Sequence, residues 1–348
     1  MNHGRRAFGR GVLCAGALAV AAATRSSPAL AASGPKSGPT EQQRLEIRAR
    51  PVESFSILAP EVRRFGALEF IGGLDLSSDN PHFGGWSGLS ISPDGQRILA
   101  ISDVGSWLTA RIAYAEMTPT SLADAVLAPV LGADGTPLWK TDAWDSECVC
   151  VHDGVAYVGF ERVHEVRRFE IARDGLRARG QIVPVPPAVK TLRGNRSLEA
   201  IGVATAGALA GSLVTIAERA AKGPESPTKG WILTGSLKGE FKVARHDDFD
   251  VTDLAFLPGG DMLVLERSFG WLDGVGMRIR RIAAEAIRPG AVLDGPTLIQ
   301  ATMRQRIDNM EGLSIHVAAD GSTVLTMISD DNFSFLQRTT LLQFRLVG

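Results

Sequence analysis

The sequence is poor in cysteine, in aromatic residues and in long apolar runs, and each shortage removes a class of protein. It holds three cysteines in 348 residues. Cys14 lies near the N-terminus. Cys148 and Cys150 stand two apart on an expected strand, facing the same side, which is poor disulfide geometry. No Cys/His spacing of the zinc-site kind occurs. Aromatic residues make up 6%, too few for a broad platform that stacks sugars or bases. A basic excess is missing as well, since 37 Lys+Arg face 38 Asp+Glu. Binding of nucleic acid through bulk charge is therefore not expected. No run of about 20 apolar residues follows the N-terminal segment, so no membrane span is expected. Helical periodicity is almost absent from Val52 onward.

The N-terminus reads as an export signal covering residues 1–31. Arg5 and Arg6 precede Phe8, a mildly apolar Gly/Ala-rich stretch runs from Gly11 to Thr24, and Ala29-Leu30-Ala31 offers a small-x-small cleavage site. The arginine pair fits the twin-arginine type, with the general secretory type as the alternative. Cleavage after Ala31 would leave 33 Lys+Arg against 38 Asp+Glu, a charge of −5. The expected location is periplasmic or secreted. Residues 32–51 are polar and read as a flexible leader, and 52–348 as one domain.

Within that domain a phrase recurs five times. A strand begins on a polar or acidic residue, continues apolar, turns, and returns to end on an acid. The copies run from Trp86-Ser87-Gly88-Leu89 to Ile101-Ser102-Asp103, from Ser146-Glu147-Cys148-Val149 to Gly159-Phe160-Glu161, and from Leu198-Glu199-Ala200-Ile201 to Ile216-Ala217-Glu218. They continue from Thr252-Asp253-Leu254-Ala255 to Val264-Leu265-Glu266, and from Met310-Glu311-Gly312-Leu313 to Ile328-Ser329-Asp330. Their starts at Ser87, Glu147, Glu199, Asp253 and Glu311 lie 60, 52, 54 and 58 residues apart. An all-strand repeat of that period predicts an all-β propeller. Five blades are legible, and a sixth could be built from N-terminal strands at Phe55–Leu58 and Leu68–Leu76. Otherwise one of those strands completes the last blade and closes the ring.

In such a hairpin, the start of the inner strand and the end of its neighbour share one end of the blade. Glu147 should then face Glu161, Glu199 face Glu218, Asp253 face Glu266, and Glu311 face Asp330 or Asp331. Carboxylates gathered at one channel mouth repel strongly. Hard cations, arginine partners or raised pKa values can relieve them. Calcium suits an all-oxygen donor set. Arg162, Arg219 and Arg267 each follow a repeated Glu and could reach the next blade's acid or a bound anion. Arg193, Arg196, Arg304 and Arg306 precede inner strands and so approach the same mouth. Carboxylates beside arginines suit a phosphate ester held through metal ions. Ser87 lacks a nucleophile-elbow context and reads as the first blade's small version of the acid. The six histidines are scattered, and each reads as core or surface.

At Trp86-Ser87-Gly88-Leu89-Ser90, Ile101-Ser102-Asp103, Asn195-Arg196-Ser197-Leu198-Glu199-Ala200-Ile201, Asn309-Met310-Glu311-Gly312-Leu313 and Ile328-Ser329-Asp330-Asp331-Asn332, the chain resembles the phytase-like propeller family, described as having esterase-like activity of phytase. The resemblance runs from about Phe65 to Phe344. It implies a secreted or periplasmic propeller and an ester or phosphoester hydrolase. Together with the charge argument it gives a working assignment. Glu199, Glu311, Glu147 and Asp253 are the candidate catalytic groups, and Asp103, Glu161, Glu218, Glu266 and Asp330 the candidate calcium ligands. Arg196, Arg306, Arg219 and Arg267 are the candidate holders of a small-molecule ester or phosphoester. The chain is expected to act as a monomer. The competing reading is a non-enzymatic propeller that binds a ligand or envelope partner, with a purely structural Glu–Arg ring.

Overall fold

The computed structural model describes Met1 and residues 37–192, 197–219, 226–270 and 274–347. The expected export signal, residues 1–31, lies outside the described residues apart from Met1. The rest form five sheets, the blades of a propeller, antiparallel except where Val292–Leu293 pairs parallel with Gly239–Val243 at the edge of blade 3. Their inner strands are Trp86–Ile91, Ser146–His152, Leu198–Val203, Asp250–Phe256 and Asn309–Val317. Each is followed by a return strand: Arg97–Ser102, Val155–Phe160, Leu213–Ala217, Met262–Gly270 and Thr323–Asp330. Among the described residues no helix is long and apolar enough to cross a membrane.

The return strands are apolar without alternation because both of their faces are covered, as Leu263-Val264-Leu265 illustrates. One face serves each neighbouring blade. The buried residues accordingly fall into five clusters, one per blade-to-blade interface: Leu99, Trp107 and Phe169 between blades 1 and 2, for example, and Leu265, Met327 and Phe344 between blades 4 and 5. Turns follow local chemistry. In the hairpin of blade 2, Asp153 and Gly154 both take positive φ, 48° and 76°, the pairing a two-residue hairpin loop favours.

Ring closure follows one of the two expected routes. Leu68–Ser77 pairs with the last strand, Thr339–Leu346, and completes blade 5. The segment from Phe55 is no blade strand. It makes one bridge, Ser56 to Gln305, and buries the Phe55 ring against Phe65, Phe70 and Phe344. A sixth blade is thus absent among the described residues. Part of the expected leader is also sheet. Gln43–Arg44 adds to the outer edge of blade 1, and Arg48–Val52 pairs with Leu68–Ser77. These residues cap outer sheet edges, which gives a polar segment backbone partners without needing apolar side chains.

Candidate functional site at the channel mouth

Each inner strand is broken at one point by a bulge, and the bulge decides which side chains reach the mouth. The register skips Ser87 in blade 1, Glu147 in blade 2, Glu199 in blade 3, Thr252 in blade 4 and Glu311 in blade 5. A bulge sets two residues against one and re-aims the extra side chain. Two residues earlier stand Gly85, Asp145, Ser197, Asp250 and Asn309. Opposite these on the return strands are Asp103, Glu161, Glu218, Arg267 and Asp330. Three tiers of five positions therefore meet at one end of the channel, and most of them are acidic.

This register corrects the expected facings: Glu161, Glu218 and Asp330 stand opposite Asp145, Ser197 and Asn309 rather than Glu147, Glu199 and Glu311, and blade 4 departs further. Asp253 pairs with Leu265, and the residue facing Glu266 is Val251. Asp253 falls one place past the bulge, where the other blades carry Gly88, Cys148, Ala200 and Gly312. These are small residues because inner strands pack closely there: a Cβ on Gly88 would lie 2.7 Å from the Val149 nitrogen. Asp253 uses its position differently. It is fully buried, and its carboxylate accepts hydrogen bonds from the Leu254 and Leu313 amides at 2.8 and 2.7 Å. The Ile201 amide makes a third bond. It satisfies inner-strand amides from three blades and is structural. Glu266 turns away from the mouth too, accepting from Arg278 at 2.7 Å and from Arg280 at 2.9 Å. Its place in the ring of acids is taken by Arg267.

Arg267 ion-pairs with Glu311 of the next blade, donates to Asn309 at 2.5 Å and lies 3.7 Å from Glu218 of the preceding blade. Burial works against its charge, yet Glu311, Glu218 and Glu199 hold its pKa above the ordinary value. Arg219 ion-pairs with Asp250 of blade 4 and lies 3.6 Å from its own neighbour Glu218. Both arginines are thus engaged by protein carboxylates. Arg306 is exposed beside the start of blade 5. Arg196 and Arg193 lie outside the described residues.

Among the described residues, the opposite half of the ring has no such ion pairs. Asp145, Glu147 and Glu161 bring one carboxylate oxygen each to within 4.8 Å of one another. Arg162, stacked over Trp144 with its charge centre 5.0 Å from the ring centroid, favours the ionised forms of Asp145 and Glu161 only from a distance. Burial pushes the Glu161 carboxyl up to about 8, with Asp145 adding to it. Burial, then Glu199 and Asp145, holds Glu147 well above the carboxylate range. Glu199 is raised by burial and by Glu218. Asp103 and Asp330 are raised by burial first, then respectively by Asp145 and by Glu311. One oxygen of Asp103 is buried with no hydrogen-bond partner among the described residues.

Asp331, the alternative partner named for Glu311, instead clamps a loop. It accepts from the Gly85 and Phe333 amides and from the Thr339 hydroxyl, all at 3.0 Å. That folds the Phe333 ring onto Gly85, where a Cβ would lie 2.5 Å from it and 2.3 Å from Asp103. Asp145 is a member of the mouth that the sequence reading misses, and Asp250 is one it sets only in an acidic loop cluster before blade 4. Their signal is there to be read, since each stands two residues before the bulge on the same strand face.

Three comparisons bear on this arrangement. The sequence pattern of a family described as "Phytase-like: Esterase-like activity of phytase" matches residues 81–333. No curated protein matches the chain. Among solved structures, the PQQ-bound form of an aldose sugar dehydrogenase from Streptomyces coelicolor is similar with TM-score 0.40 and 9% identity, over 89% of this chain and 99% of that one. A protein from Thermus thermophilus described as a putative oxidoreductase (glucose dehydrogenase) is similar with TM-score 0.31 and 16% identity, over 85% of this chain and 100% of that one.

Proposed function

The chain belongs to the phytase-like family, and from that premise we propose that it is an exported hydrolase of small esters or phosphoesters, assisted by a divalent cation at the acidic mouth. The observation that carries this reading is the Asp145–Glu147–Glu161 group, three convergent carboxylates with no ion-pair partner among the described residues. Its donors are all oxygen, which fits calcium, a cation of about six to eight oxygen ligands. The orphaned Asp103 oxygen at the same mouth is a further acceptor awaiting a positive charge. Nitrogen and sulfur donors are missing from the group, so zinc is a poor fit.

When bound, such an ion would polarise the ester or phosphoryl oxygen. The remaining work falls to this chain's residues. Glu199 stands among the carboxylates of Glu161, Glu218 and Glu311, and burial with Glu218 raises its pKa, which favours the protonated form that a general acid needs. Glu311 is oriented by Arg267 and Asn309. Arg306, exposed and free of ion pairs among the described residues, is an arginine available to an anionic group. The N-terminal pattern supports export to the periplasm or beyond.

The test is calcium titration with thermal melting, alongside hydrolysis of p-nitrophenyl acetate and p-nitrophenyl phosphate. Calcium is expected to raise the melting temperature and a chelator to reverse it. Glu147→Gln and Glu161→Gln should lose both that shift and turnover. Absence of any calcium or chelator effect rejects the metal-assisted reading. The ion pairs of Arg267 and Arg219 favour a second reading, a binding propeller with a structural ring. Turnover unchanged in Glu199→Gln and Glu311→Gln would select it.

A further inference from the structure

Large apolar side chains stand exposed around one side of the acidic mouth, on loops that the backbone ties to it. The loop Asp331–Arg338 joins the last two strands of blade 5. Its start is pinned to Gly85 through Asp331. Its end is pinned to Asp308, which accepts from the Arg338 amide at 3.0 Å and the Gln337 side chain at 3.3 Å. At its tip Phe335 is 96% and Leu336 71% exposed. A second tip lies beside the chain entering blade 5. The Ile57 amide donates to the Arg304 carbonyl at 3.1 Å, and the Arg306 amide to that of Phe55 at 2.8 Å. There Leu58 is 80% exposed, with Ile57 and Met303 also exposed.

The exposed charge on the two segments of the second tip is basic in sum, with Arg63, Arg64, Arg304 and Arg306 against Glu53 and Glu61. Arg304 and Arg306 flank the second tip, are exposed, and make no ion pair among the described residues. Two acids nearer the mouth, Asp308 and Asp331, are engaged internally. Asp308 is buried and held by the contacts above. Asp331 is half-buried and engaged by its three hydrogen bonds. Glu61, exposed on the first segment's return, is followed by the exposed Arg63 and Arg64.

Exposed apolar tips on separate loops, interleaved with unpaired arginines, suit a soft, extended surface of negative charge. We propose that this blade 5 rim docks the molecule on an anionic lipid bilayer, with Phe335, Leu336 and Leu58 entering the interface and Arg304 and Arg306 at the headgroups. The docked face is the one that carries the acidic mouth. Docking would not depend on whether the mouth hydrolyses anything.

The experiment is co-sedimentation of the full chain with vesicles of phosphatidylcholine alone and of phosphatidylcholine mixed with phosphatidylglycerol. The N-terminal segment is present in every sample, so differences between variants report the rim. Wild-type protein should prefer the anionic vesicles, and moderate salt should weaken the preference. Phe335→Ser with Leu336→Ser should weaken binding about tenfold or more, while hydrolysis of a water-soluble ester stays unchanged. Arg304→Glu, at an exposed position outside the core, should abolish the preference for phosphatidylglycerol. Equal binding by wild type and both variants overturns the proposal. So does equal binding to the two vesicle types, or a dimer in sedimentation velocity that the Phe335/Leu336 variant dissolves.

Discussion

Asp253 shows how one side chain can hold several blades. Inner strands expose amides toward the channel with no further strand to receive them, and buried amides without partners are costly. Asp253 accepts such amides from blades 3, 4 and 5. Asp253→Ala would orphan them together and should destabilise the fold by roughly 3 kcal/mol or more, read as a lower midpoint in urea. Asp253→Asn keeps one acceptor oxygen and should cost less. Glu199 makes the contrasting case. It stands on the bulge and serves no comparable backbone group among the described residues, so Glu199→Gln should preserve the melting temperature. Turnover should fall by about a hundredfold or more. A melting temperature that drops as far as in Asp253→Ala would move Glu199 from the chemistry to the scaffold.

The inner-strand hairpin is the element that sets both packing and site. Its recurrence, its turns and its acidic ends were legible because they depend on local residue type and on a period of about 50–60 residues. Register was not legible in blade 4. The run Asp250-Val251-Thr252-Asp253 offers two acids and Glu266-Arg267 a choice of two side chains, and a one-residue slip exchanges faces. Only pairing shows that Thr252 occupies the bulge and Arg267 the acid's place. The bond from Gly85 to Asp331 and the pairing of residues 43–52 were hidden for another reason, since those partners lie far away in sequence. The small residue after the bulge gives a prediction at this scale. Gly312→Val would drive side-chain atoms into Leu89, whose nitrogen is already 3.0 Å from a Cβ at that site. It should destabilise by about 1–3 kcal/mol, measured by chemical denaturation, and the loss should exceed that of the same change at exposed Gly259.

Across the whole molecule, the mouth concentrates carboxyls that hold protons more tightly folded than unfolded. Glu161 rises from 4.5 to about 8, and Glu147, Glu199, Asp103 and Asp330 also shift upward. The folded state therefore binds more protons than the unfolded chain over that interval, so stability falls as pH rises through it. In chelator, the melting temperature should drop between pH 4.5 and 8. Calcium should flatten that slope by replacing protons with a cation. A slope unaffected by calcium would mean that the arginines already balance the ring. Circular dichroism should remain strand-dominated throughout, in keeping with 53% strand and 7% helix.

The closure of blade 5 has a consequence in time. Thr340 and Asp75, hydrogen-bonded across the seam, are 265 residues apart in sequence. A ribosome making this chain must finish almost all of it before the seam can form, so the growing polypeptide carries Leu68–Ser77 without its final partner until the last strand emerges. Contacts of such separation are late and slow to form. Productive folding should therefore depend on whatever shields that early strand during synthesis, and a chain that stops before Thr339 should aggregate through it.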